Sequence, residues 1–330
     1  MAKHGANIVV IGGGTGSFTL LQGLKSYTGN ITALVNMADD GGSTGQLRDE
    51  LGVLPPGDVR QCLVALSAAP QVRDLFNYRF EEGSLKGHAF GNLFLTALEK
   101  MSGNFAEAVE LASSVLKITG QVEPITLSNV KLCAEGADGK PIIGECNIGN
   151  AELKLRPKIW LEPEANANPA AVRAIMNADM VVIAPGNLYG SLAPALVIDG
   201  IQRALKRTKA KCVYVANLVT KPGPTDGFTV KDFADEIERL GGSSFLDYVV
   251  FNNDTPSKEL MERYAHDGEY AVAFDIDELK KQHYQFRAVP ILAKTAWDGA
   301  QASDPLAASR SFIRHDSDAV ARQLMRIYFA

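Results

Sequence analysis

Apolar positions along the chain fall into two rhythms that alternate. Residues 8–11 (IVVI) are β-branched, continuous and ended by glycine, the pattern of a short strand buried on both faces. From Ser17 onward the apolar residues are Phe18, Leu20, Leu21, Leu24 and Tyr27, one face of a helix. Gly29-Asn30 stops that pattern, and ITALVNM (31–37) reads as a second strand. The same grammar returns in MVVIAPGNLYGSLAP (180–194), with a helix expected from about Pro194. It returns again in KCVYVANLVTKPGPTDGFT (211–229) and LDYVVFNND (246–254), the latter followed by a helix near Pro256. Strands alternating with helices predict an α/β fold with a mainly parallel sheet covered on both sides.

One stretch breaks the rhythm. From Val122 to about Trp160, short alternating segments surround AEGADGKP, a turn signal, and predict a small antiparallel β insertion. EPEANANP (162–169) reads as a linker into a helix. No repeat, low-complexity tract or shift in composition divides the chain, so residues 1–330 are expected to form one α/β domain carrying that insertion.

Composition narrows the setting. At 46% hydrophobic and 22% charged, the chain can bury a sizeable core. Its net charge of −5 argues against general nucleic-acid binding, which needs a basic footprint. Cys62, Cys133, Cys146 and Cys212 are far apart and form no C-x-x-C pair, which suits reduced thiols and disfavours zinc. The start lacks the long apolar run of a signal peptide, and no window approaches ~18 uninterrupted apolar residues. A cytoplasmic protein without a membrane span is expected.

The candidate chemistry lies in the loops that follow strands. IGGGTGS (11–17) places Gly12, Gly13, Gly14, Thr15 and Gly16 where backbone N–H groups can meet a phosphate at a helix N-terminus. The dinucleotide fingerprint G-x-G-x-x-G lacks its third glycine, since Ser17 stands there, and no P-loop lysine follows. An NAD reader would also carry an acid at the end of the second strand, where this chain has Asn36-Met37. Asp39 and Asp40 lie further out, in ADDGGSTG (38–45), where they could hold a divalent cation or merely fold the turn.

LPPGDVRQCLVALS (54–67) predicts a helix with Val59, Cys62, Leu63 and Leu66 inward, Asp58 as its N-cap, and Arg60 against the helix dipole. That last position suggests an anion for Arg60, with an exposed surface arginine as the alternative. KGHAFGNLFLTALEKM (86–101) sets His88 and Asn92 before a helix with Phe94, Ala97, Leu98 and Met101 inward. His88 suits proton transfer or a phosphate contact, and equally a structural role. Three more loops, with Gly186, Asn187 and Ser191, then Asn217 and Thr220, then Asn252, should share the carboxyl edge of the sheet.

Together these stretches resemble the gluconeogenesis-factor family (often called YvcK-like), within the wider 2-phospho-L-lactate transferase (CofD-like) superfamily. The resemblance runs over nearly the whole chain. It rests on IGGGTGSFTLLQGLK, VNMADDGGSTGQLRDELGVLPPGDVRQCL, FEEGSLKGHAFGNLFLTAL, WLEPE, APGNLYGSLAP and NLVTKPGPTDGFTV. It implies a Rossmann-like three-layer fold with a crevice at the loop edge. It also implies a bacterial protein linked to gluconeogenic growth, cell shape and cell-wall synthesis, whose partners include proteins of that synthesis. Factors of this type bind UDP-sugars such as UDP-N-acetylglucosamine as sensors, not catalysts. A tyrosine and an arginine implicated in that binding match Tyr264 in RYAHDG and Arg314 in IRHD.

The transferase branch joins a phospholactyl group to a deazaflavin with a divalent cation, Mg²⁺ in this reading. Its P-D-x-D-T pattern is PPGDVR here, which puts that chemistry in doubt. Asn187 and Gly190 also replace a serine and a threonine usual in nearer relatives, and an insertion is expected between Gln285 and Ser311. The leading expectation is a UDP-sugar-binding regulator without a required cofactor. The rival is an Mg²⁺-dependent transferase, and self-association is left open.

Overall fold

A computed structural model describes residues 5–294 and 313–330; the expected insertion between Gln285 and Ser311 lies largely outside the described residues. The strands, in chain order, are β1 (Ile8–Gly12), β2 (Ile31–Val35), β3 (Gln121–Pro124), β4 (Lys131–Glu135), β5 (Pro141–Ile143), β6 (Ile159–Glu162), β7 (Met180–Ile183), β8 (Lys211–Val215), β9 (Tyr248–Asn252) and β10 (Gln285–Val289). Seven form a sheet in the order β10-β9-β8-β7-β1-β2-β3. Every pairing within it is parallel. Helices flank this sheet, giving the expected α/β architecture.

The burial follows from the strand sequences. IVVIG and MVVI are buried at every position, as central parallel strands covered on both faces must be. The edge strands carry the polar residues: Gln121 and Glu123 on β3, Gln285 and Arg287 on β10. Such polar edges discourage pairing with another sheet.

Helix Gly14–Leu24 returns from β1 to β2 and buries Leu20, Leu21 and Leu24. Against it lies the C-terminal helix Ser317–Phe329, whose N-cap Asp316 accepts from the Ala319 N–H. Helix Val230–Leu240 begins with a reciprocal box, in which the Thr229 hydroxyl accepts from the Asp232 N–H and the Asp232 carboxylate accepts from the Thr229 N–H.

Several local expectations change. Val122–Pro124 belongs to the main sheet, because β3 pairs parallel with β2 and buries Val122 there. The antiparallel sheet is therefore β5-β4-β6, running from Lys131 to Glu162. The chain after β7 turns helical already at Leu188, as a π-helical turn through Leu192, before Ala193–Leu196. In helix Phe90–Ser102 the buried stripe is Gly91, Asn92, Leu95 and Thr96, while Ala97 and Met101 are exposed. The phase shifts because Asn92, satisfied by hydrogen bonds to Arg60 and Ser43, tolerates burial that an unpartnered amide would not.

The contact between the first and last helices is a tight one. A Cβ at Gly23 would collide with the carbonyl oxygen of Ser317 and lie 3.1 Å from Ala321 Cβ. Gly23→Ala should therefore cost about 1–3 kcal/mol, read as a lower denaturant midpoint at unchanged slope. Gly29→Ala, whose new methyl meets only Thr119 Cγ2 at 3.7 Å, serves as the control.

Candidate functional site

The sheet order reverses at β1, which has β2 on one side and β7 on the other. Loops leaving the carboxyl ends of these two strands turn to opposite faces and leave a crevice between them. A cavity of about 270 Å³ lies there. Gly13, Gly14, Thr15 and Gly16 form one wall, and Gly186, Asn187 and Ser191 another. Asn217, Leu218, Val219 and Lys221 follow β8, while Glu269, Ile313, Arg314 and His315 close the far side. Larger clefts of about 720 and 660 Å³ lie elsewhere. The first sits at the amino-terminal starts of β1 and β2, and the second between helices Pro169–Met176 and Asp199–Arg207. No strand-end glycine turn reaches either, so the smaller cavity is the better candidate.

Backbone proximity explains the glycine turn. A Cβ at Gly16 would collide with the Pro185 carbonyl oxygen, so only glycine lets the two walls approach this closely. Ser17, standing where a third glycine is usual, is itself buried. The loops after β7 and β8 are fastened to each other. Gly186 N–H donates to Asn217 Oδ1 (3.2 Å), and Asn217 Nδ2 donates back to the Gly186 carbonyl (2.7 Å). Asn187 accepts from the Gly190 N–H and caps the π-helical turn.

Other predicted residues hold this cavity without lining it. Asn36 is buried at the end of β2 and donates to the Gly190 carbonyl (3.3 Å). Thr220 accepts from the Tyr270 N–H (3.2 Å) and Asn252 from the Ile291 N–H (3.2 Å). Tyr264 is buried, and its hydroxyl accepts from the Ile313 N–H (3.1 Å). Tyr264, matched above to a tyrosine implicated in ligand binding, thus positions the segment that carries Arg314. His315, which the sequence reading passed over although it adjoins Arg314, bonds through Nε2 to the Ala216 carbonyl (3.1 Å). A carbonyl only accepts, so Nε2 carries the proton, and burial pulls the imidazole down to about 4.

A second polar cluster adjoins the glycine turn from below. Asp58 is not the N-cap of its helix; Pro56 holds that position, and Asp58 lies in the first turn. Its carboxylate accepts from the Gly14 N–H at 3.0 Å. Asp58 is pushed up to about 7 by burial first, then by Asp39 and Glu145, against the pull of the Gly14 bond and Arg60. Glu145, contributed by the antiparallel insertion, is likewise pushed up to about 7 by burial, Asp39 and Asp40. Nothing in the sequence pattern marked Glu145, because only tertiary packing brings its short helix to the acidic loop.

Asp39 and Asp40 divide their work. Asp39 accepts from the Gly41 N–H, and burial raises its pKa. Asp40 uses both oxygens on the Glu145 and Cys146 N–H groups (3.1 and 2.8 Å), pinning the insertion to the loop. That use leaves Asp40 poorly suited to grip a cation. Among the described residues, no group of three or more His, Cys, Asp or Glu is arranged to hold a metal ion. His88, Asn92 and Arg60 lie together away from the cavity. His88 Nδ1 meets Ser43 Oγ (2.9 Å), Asn92 donates to Ser43, and Arg60 donates to Asn92 and Asn77. Arg60 is therefore a buried strut between helices, not an exposed arginine.

Comparison with known proteins adds a second line of observation. Residues 8–292 match the family described as 2-phospho-L-lactate transferase CofD. A protein of Clostridium acetobutylicum is 44% identical over 326 residues, 97% of this chain and 69% of that protein. The gluconeogenesis factor of Bacillus subtilis (strain 168) is 40% identical over 276 residues, 83% of this chain and 87% of that one. A crystal structure of a UPF0052 family member from Bacillus halodurans superposes with a TM-score of 0.88 at 34% identity. It covers 97% of this chain and 99% of that one.

The buried carboxylate carries a pH signature. Asp58 holds its proton in the folded state up to about 7, while an unfolded aspartate releases it near ~3.9. The folded state then binds more protons between those values, so stability falls as pH rises toward 7 and levels off above it. Asp58→Asn keeps an acceptor for Gly14 and removes that ionisation. Melting curves from pH 5 to 8 should slope downward up to about 7 in wild type and less steeply in the variant, where Glu145 is still pushed up to about 7, and the variant melts higher at pH 8.

Proposed function

The chain belongs to the 2-phospho-L-lactate transferase CofD family and aligns within it with gluconeogenesis factors, and on that premise we propose that it is a UDP-sugar-binding regulator. The observation that carries the reading is the cavity at the reversal of strand order, whose lining includes both the glycine turn and Arg314. A diphosphate bound there would meet the turn's backbone N–H groups, apart from that of Gly14, which Asp58 holds, together with the helix dipole and a guanidinium. The volume of about 270 Å³ is just below the ~300–1,000 Å³ of pockets that enclose a drug-sized ligand. It suits a nucleotide sugar that is partly open to solvent.

In this reading the protein works in the cytoplasm. Ligand occupancy reports sugar-nucleotide supply to cell-wall synthesis proteins and so links carbon metabolism to cell shape. Among the described residues no helix is long and apolar enough to cross a membrane. The family description favours a second reading, a transferase acting on a nucleotide-activated phospho-acid. Its cation would need Asp39 and Asp40, and Asp40 already has both oxygens on backbone N–H groups. Product formation from activated phospholactate, a deazaflavin and Mg²⁺ would decide for it.

Calorimetric titration with UDP-N-acetylglucosamine tests the leading reading. Arg314→Ala should lose on the order of 2 kcal/mol or more of binding free energy, because it leaves a diphosphate without its cation. Absent binding to wild type, or unchanged affinity in the variant, would count against it.

A further inference from the structure

The charged side chains among the residues lining the cavity are Lys221, Glu269 and Arg314. Among the described residues a single carboxylate thus faces a cavity read above as a site for a polyanion. Glu269 is 13% exposed and pairs through Oε1 with Lys221 Nζ, whose own side chain is 56% exposed. The acid is therefore the inner member of the pair and the lysine the outer.

Glu269 is also fixed in place by its backbone. Its N–H donates to the Tyr264 carbonyl (2.9 Å). The next residues pair antiparallel with the loop after β8: Thr220 N–H to the Tyr270 carbonyl (2.8 Å) and Val272 N–H to the Leu218 carbonyl (3.0 Å). A carboxylate held on such a ladder suits selective recognition better than one on a free loop.

A carboxylate only accepts hydrogen bonds, so it rewards a ligand that brings donors and penalises one that brings phosphate oxygens. Lys221 offsets its charge, which lets an anionic ligand enter. Two neighbouring hydroxyls match the two oxygens of one carboxylate, and Oε1 keeps a second lone pair beside its pairing with Lys221. Dinucleotide-binding folds place an acid for that purpose at the end of the second strand. Here that position is Asn36, buried and engaged with Gly190, and not a cavity residue.

We propose that Glu269, steadied by Lys221, reads a vicinal diol of the bound nucleotide sugar and so sets the ligand's direction in the crevice. The diphosphate then lies toward the glycine turn and Arg314, with the diol on the wall formed by the loop after β8 and its paired segment. This inference rests on the nucleotide-sugar reading above. It adds to that reading a hydroxyl requirement that simple diphosphate binding does not have.

Ribose and hexose both carry neighbouring hydroxyls, so three probes separate them: UDP-N-acetylglucosamine, its 2′-deoxyribose counterpart, and UDP. Titration of wild type should show a loss of about tenfold for the probe lacking the hydroxyls that are read, the size of one hydrogen bond to a charged group. In Glu269→Ala that loss should shrink toward unity, and Glu269→Gln, which retains one acceptor oxygen, should fall between. The ribose is the source if the deoxy probe shows the selective loss, and the hexose if UDP does. Equal affinity of wild type for all three probes would overturn the proposal while leaving nucleotide binding intact. So would a variant that weakens all three by the same factor. Failure of wild type to bind any of them would remove the nucleotide-sugar reading, and this inference with it.

Discussion

Parallel strands need right-handed crossovers, and the chain can add strands on either side of β1 only by changing direction. It builds β2 and β3 outward on one side, then returns to lay β7, β8, β9 and β10 on the other. The loops after β1 and β7 consequently diverge, and the crevice between them is a product of topology before any side chain is chosen. Its width is set by backbone contact: Gly16 against Pro185 on the floor, and the two-way bond between Gly186 and Asn217 beside it. Everything polar in the cavity depends on those walls being in place.

Beneath that crevice, buried ionisable groups couple distant parts of the chain. Asp58 reaches from the helix Gly57–Leu66 to the Gly14 N–H, so the glycine turn is steadied by an internal carboxylate. Asp39 and Glu145 crowd the same acid, and Asp40 ties the antiparallel insertion to the acidic loop. Three carboxyl groups in little water cannot all ionise cheaply, which is why Asp58 and Glu145 both move toward neutral pH. His315, also in the cavity lining, is kept neutral by burial, which among the described residues leaves Arg314 and Lys221 as the cavity's cations.

Much of this was legible from residue order. IVVI, ITALV and MVVI announce central parallel strands because both their faces must be apolar, and the glycine turn after IVVI follows from the need for close backbone approach. The loops carrying Gly186, Asn187, Ser191 and Asn217 converge with the glycine turn on one cavity, since strand ends in a parallel sheet share an edge. Asp58 was misread because a helix N-terminus rewards a nearby acid whether it caps its own helix or another one. Here the Gly14 N–H of a neighbouring helix takes it.

Periodicity is a local property, so the sequence by itself determined the strands β1, β2, β7, β8 and β9, the helix after the glycine turn, and which loops carry polar groups. Long-range packing decided the rest. It turned Tyr264 into a prop for Ile313, made Arg60 a buried strut, placed Asn36 behind the wall instead of in it, and delivered Glu145 and Glu269, neither of which the sequence pattern marked. Each of those outcomes depends on which side chain meets which backbone group across tens or hundreds of residues. Such pairings are set by the sheet's topology and by the cost of leaving a buried polar group unsatisfied, and neither leaves a periodic trace in the chain.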